Sequence, residues 1–356
     1  MHDHDLPRSV LRWVLAQFVP HSRLNRVHPL RSDPGDRGPW HMTVTTPTHT
    51  QHVVLKTGPI DVDATRQTTH PVAIQASMAT EAAALTLAEN HRLPVPRLIA
   101  HDLVGECGRI ALLTTAALGN PSAPDDHSIR ALGELLPKIH AVKVPSDPAL
   151  PVRVRAREGD DYVGFRARQR GDIEHYRTGT SGEQHNVHAR VVEEHPNWPQ
   201  KRVHRYLTTP TTTPLIEQAE RLMQELPHNS APTGLVHNDI APGNVIWTDD
   251  SPVLIDWEGA GAGPTGLDLG NARFELALHR GTRAADLALE GWRRNADVAI
   301  PDDLPYWDLS AALNTPANLT AWSSNPDATE RRDAFISHVL TKLARVGRYN
   351  NSAEGL

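Results

Sequence analysis

The chain has a single cysteine, Cys107, in 356 residues. That excludes an internal disulfide framework and leaves too few thiolates for a cysteine zinc site. No apolar run approaches the roughly 20 residues needed to cross a bilayer. There is no excess of positive charge. With 36 Lys and Arg against 42 Asp and Glu the net charge is −6, which gives no electrostatic footprint for a nucleic acid. The opening residues, MHDHDLPRSVLRWVLAQFVPH, carry acids where a signal peptide needs bases, and Arg12 and Gln17 interrupt their apolar stretch. The expected compartment is the cytoplasm. Histidine is abundant, at 21 copies, yet no HExxH and no helically spaced His pair beside a well-placed carboxylate occurs, so a catalytic zinc is not expected. No internal repeat is visible.

At 39 % hydrophobic and 22 % charged, the composition is that of a globular protein, and its length is generous for one core. Ser9 is placed to cap a short helix running to Phe18. HMTVTT (41–46) and HVVLKT (52–57) alternate like strands about a turn. SMATEAAALTLAEN (77–90) has strong helix formers behind a capping Ser77. LPVPRLIAHD (93–102) is held extended by its prolines, and RIALLTTAAL (109–118) reads as a buried strand leading into a crossover. Beyond it the chain turns helical. A stripe of Ile129, Leu132, Leu135, Leu136 and Ile139 follows Ser128 as cap, with Pro137 expected to bend or break the helix. Residues 151–206 are polar and resist assignment. A helix is expected over 214–227 and a mainly helical remainder from about Leu267. This is an α+β order: a small β-rich lobe with one helix, 1–116, then a larger helical lobe, 117–356.

The chemistry concentrates in LVHNDIAPGNVIWTDDSPVLIDWE, residues 235–258. Asp239 and Asn244 are five residues apart, close enough for one loop to point both side chains into one cavity. VIW and VLIDW flank TDDSP, a turn by composition, so Asp249 and Asp250 are turn residues and Asp256 returns beside Asn244. A carboxylate and a carboxamide oxygen are hard ligands for Mg²⁺, whose octahedron water and nucleotide phosphates complete. Asp239 is then left to accept the proton of an attacking hydroxyl. These are the parts of a phosphoryl-transfer site.

HNDIAPGN and IDWE resemble the catalytic loop, His-x-Asp-x-x-x-x-Asn, and the metal-binding segment of the aminoglycoside phosphotransferase and choline kinase superfamily. Asn238 stands where that family usually has Gly. GPTGLDLGN (263–271), LGELLPKIHAV and LPVPRLIAHD resemble further family segments in the family's order, and together they span most of the chain. The resemblance implies a bilobal, protein-kinase-like fold and an enzyme that moves the γ-phosphate of ATP, or GTP, to a hydroxyl of a small molecule. It gives Asp239 the catalytic role and Asn244 and Asp256 the Mg²⁺, with Asp268 structural and Glu258 near the metal. It implies a phosphate-reaching Lys56 at the end of a strand, with Arg66 as the competing cation, and Glu81 as its partner on the following helix. It also implies nucleotide contacts at the connector, Thr114, Thr115 and Ala116, and at a phosphate-covering loop over 31–40, Ser32, Gly35 and Gly38. That loop, DPGDRG, lacks the regular glycine spacing. His237 is read as a structural group bonding the loop backbone. The missing Asp-Phe-Gly and Ala-Pro-Glu segments speak against a protein kinase.

The expected acceptor is an antibiotic or a sugar- or nucleoside-type metabolite, held partly by 151–206. That segment has 11 Lys or Arg and 8 Asp or Glu, a net +3, which favours a neutral acceptor over a polycation. Tyr162, Phe165, Tyr176 and Trp198 are candidates to stack on its ring, or to form core. The alternative is a catalytically silent, nucleotide-binding regulatory module, for which the irregular phosphate loop speaks. Neither nucleic acid nor membrane is expected as a partner.

Overall fold

A computed structural model describes residues 6–30, 38–60, 71–122, 125–155, 161–249, 251–294 and 299–353. Ser32, Gly35, Arg66 and Asp250 lie outside the described residues. The chain divides into two compact units: 1–154 with 230–268 and 287–299, and 155–229 with 269–286 and 300–356.

In the first unit, strands β1 (Arg23–Pro29), β2 (Trp40–Thr45), β3 (Thr50–Gly58), β4 (Leu98–Asp102) and β5 (Ile110–Thr115) form one antiparallel sheet in the order β1-β2-β3-β5-β4. The period of two sorts its faces. Trp40, Met42 and Val44 from β2, with Val53 and Leu55 from β3, pack against Val10 and Val14 of helix α1 (Arg8–Ala16). The opposite face therefore carries His41, Val54 and Lys56. The β1 strand was not anticipated, because RLNRVHP is mostly exposed and shows no alternation.

Helix α2 spans Pro71–Asn90 and begins well before Ser77. Proline suits a first helical position, and the Ser77 hydroxyl donates back to the Ile74 carbonyl (3.0 Å) instead of capping. Ile74, Met78 and Ala82 pack on Ile110 and Leu112. Helix α3 (Asp126–His140) is capped by Asp125, not Ser128: Asp125 Oδ1 accepts from the Ser128 N–H at 2.8 Å. It also runs on through Pro137. Strands β6 (Gly234–Val236), β7 (Val245–Trp247), β8 (Pro252–Leu254) and β9 (Gly261–Gly263) form two small pairs, β6 with β9 and β7 with β8. Helix α8 (Thr265–Arg280) starts in this unit, and α9 (Thr282–Arg294) ends in it.

In the second unit, residues 162–208 form three helices, α4 (Tyr162–Thr178), α5 (Ser181–Glu194) and α6 (Gln200–Thr208). Their polarity hid a small core of Val191, Val203, Tyr206 and Leu207, against which Phe165, Tyr176 and Trp198 pack. Those three aromatics are therefore core-forming. Helices α7 (Pro214–Glu225), α10 (Leu304–Leu313) and α11 (Ala328–Ala353) build the larger core with α8, through Ile216, Phe274, Leu309 and Phe335.

Five of the basic side chains of 155–206 have carboxylate partners among the described residues. Arg166 and Arg170 each donate to Glu220 at 2.7 Å. Arg190 bonds Asp172 and Glu194, and Arg155 and Arg168 face Asp161. A count of +3 in the sequence is thus not a bare cationic face. Arg166 is 2 % exposed, and its guanidinium donates to Glu220 and to the Thr315 and Leu313 carbonyls. Removing one member of such a buried pair strands the other charge. Glu220→Gln should lower unfolding stability by about 3 kcal/mol in urea denaturation. A loss below about 1 kcal/mol would show that the pair contributes no more than a surface bridge.

Candidate active site

Strand β6 leads into the loop that holds Asp239 and Asn244. Leu235 and Val236 are fully buried, and a Cβ on Gly234 would collide with the His140 carbonyl, so only glycine lets β6 lie so close to the end of α3. The next two residues, His237 and Asn238, are buried polar groups. Their backbone N–H groups both donate to one carboxylate: His237 to Asp268 Oδ2 (2.7 Å) and Asn238 to Asp268 Oδ1 (2.8 Å). His140 Nε2 lies 3.2 Å from the same Oδ2. Asp268 is fully buried, which alone would raise its pKa, but His140, His237 and the backbone donors hold it below the usual carboxylate range. Asn238 has φ +66°, a left-handed conformation that asparagine tolerates better than most residues and that glycine adopts freely.

His237 braces the loop from the other side. Its Nδ1 accepts from the Asp239 N–H (3.3 Å), which leaves Nε2 as the protonated nitrogen, donating to the Ile255 carbonyl (2.9 Å). Its ring sits 4.7 Å from that of the buried Trp257. The histidine ties the Asp239 loop to the segment carrying Asp256.

Asn244 ends a single 3₁₀ turn, Pro242–Asn244, just before β7. Its Nδ2 donates to Asp239 Oδ2 (2.9 Å) and to the Asp239 carbonyl (3.0 Å). This fixes the plane of the Asp239 carboxylate and turns the carboxamide oxygen of Asn244 the other way. The hairpin closes as Ile255 N–H donates to the Asn244 carbonyl (3.0 Å), which brings the next residue, Asp256, alongside. Asp256 has φ +65°, strained for a residue with a Cβ. No cluster of three or more His, Cys, Asp or Glu able to hold a metal occurs among the described residues. A carboxylate with a carboxamide oxygen still fits Mg²⁺, which takes few protein ligands where phosphates and water supply the rest.

Lys56 joins the two halves. Its Nζ lies 2.5 Å from Glu81 Oε2 on α2 and 2.5 Å from Asp256 Oδ1. Burial disfavours the ammonium, but Glu81 and Asp256 overcome it and raise the Lys56 pKa. Burial pushes the Glu81 pKa up, and the nearby Asp256 and Glu258 carboxylates add to this against the pull of Lys56. One ammonium between two carboxylates leaves a net negative centre, which suits a divalent cation.

Lys56, Glu81, Asn244, Asp256 and Glu258 line a cavity of about 390 Å³, within the size range of small-molecule sites, and Asp239 adjoins it through its bond to Asn244 without lining it. Thr114, Thr115 and Ala116 line it. The N–H groups of Thr115 and Ala116 are committed to the Arg97 and His52 carbonyls (both 2.9 Å), so these residues reach the cavity otherwise than as backbone donors. Ala117 and Leu118, next along the connector, line it too, as does His41; none of the three was anticipated. An alternation analysis placing His41 on the face of Lys56 could have found it. Of the loop residues, Gly38 is described and buried beside Pro39, which lines the cavity.

A model of the phosphotransferase enzyme family matches residues 49–301, more than half of the chain. Among curated proteins, none matches the sequence. Of solved structures, macrolide 2′-phosphotransferase MphH from Brachybacterium faecium superposes with a TM-score of 0.50 at 15 % identity, covering 92 % of this chain and 98 % of that one. A putative aminoglycoside phosphotransferase from Ralstonia eutropha does so with a TM-score of 0.51 at 11 % identity, covering 94 % and 98 %. At such identities the likeness is one of fold: α+β and protein-kinase-like. No described helix is long and apolar enough to cross a membrane.

The depressed pKa of Asp268 has a sign that can be tested. Its stabilisation is complete above the unfolded carboxylate value, about pH 4, and drains away as pH falls towards the folded value. Asp268→Asn should cost about 2–4 kcal/mol at pH 7, because the amide nitrogen cannot accept from an N–H. The gap in Tm between wild type and variant should narrow as pH falls from about 4 towards 2. A gap that stays constant over that range would mean that the carboxylate charge is not what holds the loop.

Proposed function

The chain belongs to the phosphotransferase enzyme family, and from that premise we propose that it transfers the γ-phosphate of ATP to a hydroxyl of a small molecule. One observation supports this most: Lys56, Glu81 and Asp256 meet in one ion cluster and line one cavity together with Asn244, whose side chain donates to Asp239. In this reading the nucleotide lies in the cavity, its base end towards the connector at 114–118 and its phosphates towards Lys56. GTP is an alternative donor. Asn244 and Asp256 are the Mg²⁺ ligands, and the ion, when bound, offsets the charge of the phosphates. Asp239, its carboxylate oriented by Asn244, accepts the proton of the acceptor hydroxyl or orients it. The hydroxyl oxygen bonds the γ-phosphorus as the bond to the bridging oxygen breaks, giving the phosphoester and the nucleoside diphosphate.

The acceptor proposed is an antibiotic or a sugar- or nucleoside-type metabolite. The two fold neighbours are named for macrolide and aminoglycoside phosphotransfer, and their low identity transfers neither acceptor to this chain. The paired arginines of 155–206 weaken any argument for or against a polycation from charge counting, so the acceptor has to be found by screening. The silent-module alternative is disfavoured because a chain without catalysis has no need of Asp239 locked to Asn244.

Asp239→Ala should cut turnover by about 10² or more while leaving nucleotide affinity within a few-fold. Asp256→Asn should instead weaken Mg²⁺-dependent nucleotide binding first. Near-normal turnover in Asp239→Ala would remove its assignment. A panel of macrolides, nucleosides, sugars and aminoglycosides, assayed with ATP and with GTP by mass spectrometry, should yield at least one product heavier by a phosphoryl group. A protein that binds nucleotide and phosphorylates none of them would favour the regulatory module.

A further inference from the structure

Three histidines lie side by side on the sheet face that carries Lys56, and phosphoryl transfer as described makes no use of them. His28 on β1 is directly opposite His41 on β2, their rings 4.8 Å apart. His41 in turn stacks on His52 of β3, at 5.1 Å and 24°. His52 Nδ1 and His41 Nε2 are 3.2 Å apart, a hydrogen bond in which one ring donates and the other accepts. His41 lines the nucleotide cavity, and its Nδ1 is buried with no partner. In the register His41 faces Val54, so Lys56, two residues along the same face, is its diagonal neighbour, at about 7–8 Å. A polyphosphate drawn in by Lys56 therefore arrives beside this pair of rings.

With the cavity as it stands, partial burial and the neighbouring His28 and His52 hold the His41 pKa below the ordinary histidine value. Among the described residues the charged and titratable groups around it are few. His28 comes from β1, and His52 and Lys56 from β3; β5 offers no titratable group on this face, only Thr114, Leu112 and Ile110. From α2 comes Glu81, and from the segment after β8 come Asp256 and Glu258; Lys56 already engages Glu81 and Asp256. Among the described residues, no carboxylate is bonded to the pair. An anion entering the cavity reverses this balance. An imidazole pair joined by one N–H···N bond takes up a single proton readily, because the resulting bond is charge-assisted. A second proton would place like charges on adjacent rings.

We propose that a nucleoside polyphosphate entering this cavity draws one proton onto the His41–His52 pair, so that nucleotide binding is coupled to proton uptake and tightens as pH falls through neutrality. This rests on the nucleotide-binding reading above and adds a binding group to it.

The test is calorimetric titration of the full chain with the Mg²⁺ complex of the non-hydrolysable ATP analogue AMP-PNP at pH 7, in buffers of different ionisation heat. Wild type should take up about 0.3 to 1 proton per nucleotide beyond the nucleotide's own titration, and its Kd should rise several-fold from pH 6.5 to 8. His41→Asn should lose both the uptake and the pH slope. His52→Asn, which spares the ring lining the cavity but removes the proton-sharing partner, should reduce the uptake and serves if His41→Asn fails to fold. Equal proton numbers in wild type and a folded variant would overturn the proposal, as would no uptake in wild type. A wild-type chain that binds no nucleotide at any pH would instead overturn the functional reading on which it rests.

Discussion

Asp268 takes two consecutive backbone N–H groups, those of His237 and Asn238, on its two oxygens. Backbone donors buried behind Leu235 and Val236 have no water to turn to, so without this carboxylate the loop could not stay where it is. The geometry of the site follows from that fixture. With Asn238 held at positive φ the chain turns sharply and delivers Asp239 at the rim. Asp239 meets Asn244 five residues on, and His237 reaches across to Ile255. His140 at the end of α3 supports the carboxylate from behind. One buried acid thus sets the position of a half-exposed one.

A second constraint is charge balance. Lys56 is shared by Glu81 and Asp256, so the Lys56 ammonium is locked on while the centre as a whole stays negative. Coulomb attraction at such short range in a poorly solvated place is large enough to overcome the burial cost of the ammonium, whereas the deeper carboxylate is left under strain. The cluster keeps one negative charge in excess. In the other unit the same physics is closed on itself. Arg166 with Glu220 and Arg273 with Asp308 are satisfied locally, and they order helices without presenting charge.

Much of this was legible in the sequence because the chemistry is local. The spacing of His237, Asp239 and Asn244 lies within one loop, the return of Asp256 follows from a hairpin turn, and the alternation of VVLK puts Lys56 on a defined face. Some local features were misjudged where two short-range signals competed. Ser77 and Ser128 both have the composition of caps, yet Ile74 and Asp125 offered the hydroxyl or the N–H a better partner. Pro137 stays within α3, whose Ile129, Leu132 and Leu136 are buried on one side, so burial outweighs the lost backbone bond.

The sequence by itself determined the type of chemistry and the order of the elements, since residue identities at fixed short spacing and the period of two or 3.6 need no partner to be read. The tertiary structure decided which groups share an environment. Lys56 and Asp256 are 200 residues apart, and only folding makes them a pair. The strand β1 has no periodic signature, and its place in the sheet is conferred by β2. Arg166 and Arg170 look like part of a positive surface until Glu220 is brought to them from α7. Long-range pairing depends on loop closure and packing, which no local pattern encodes, and so the charge and reach of each side chain were settled by the fold.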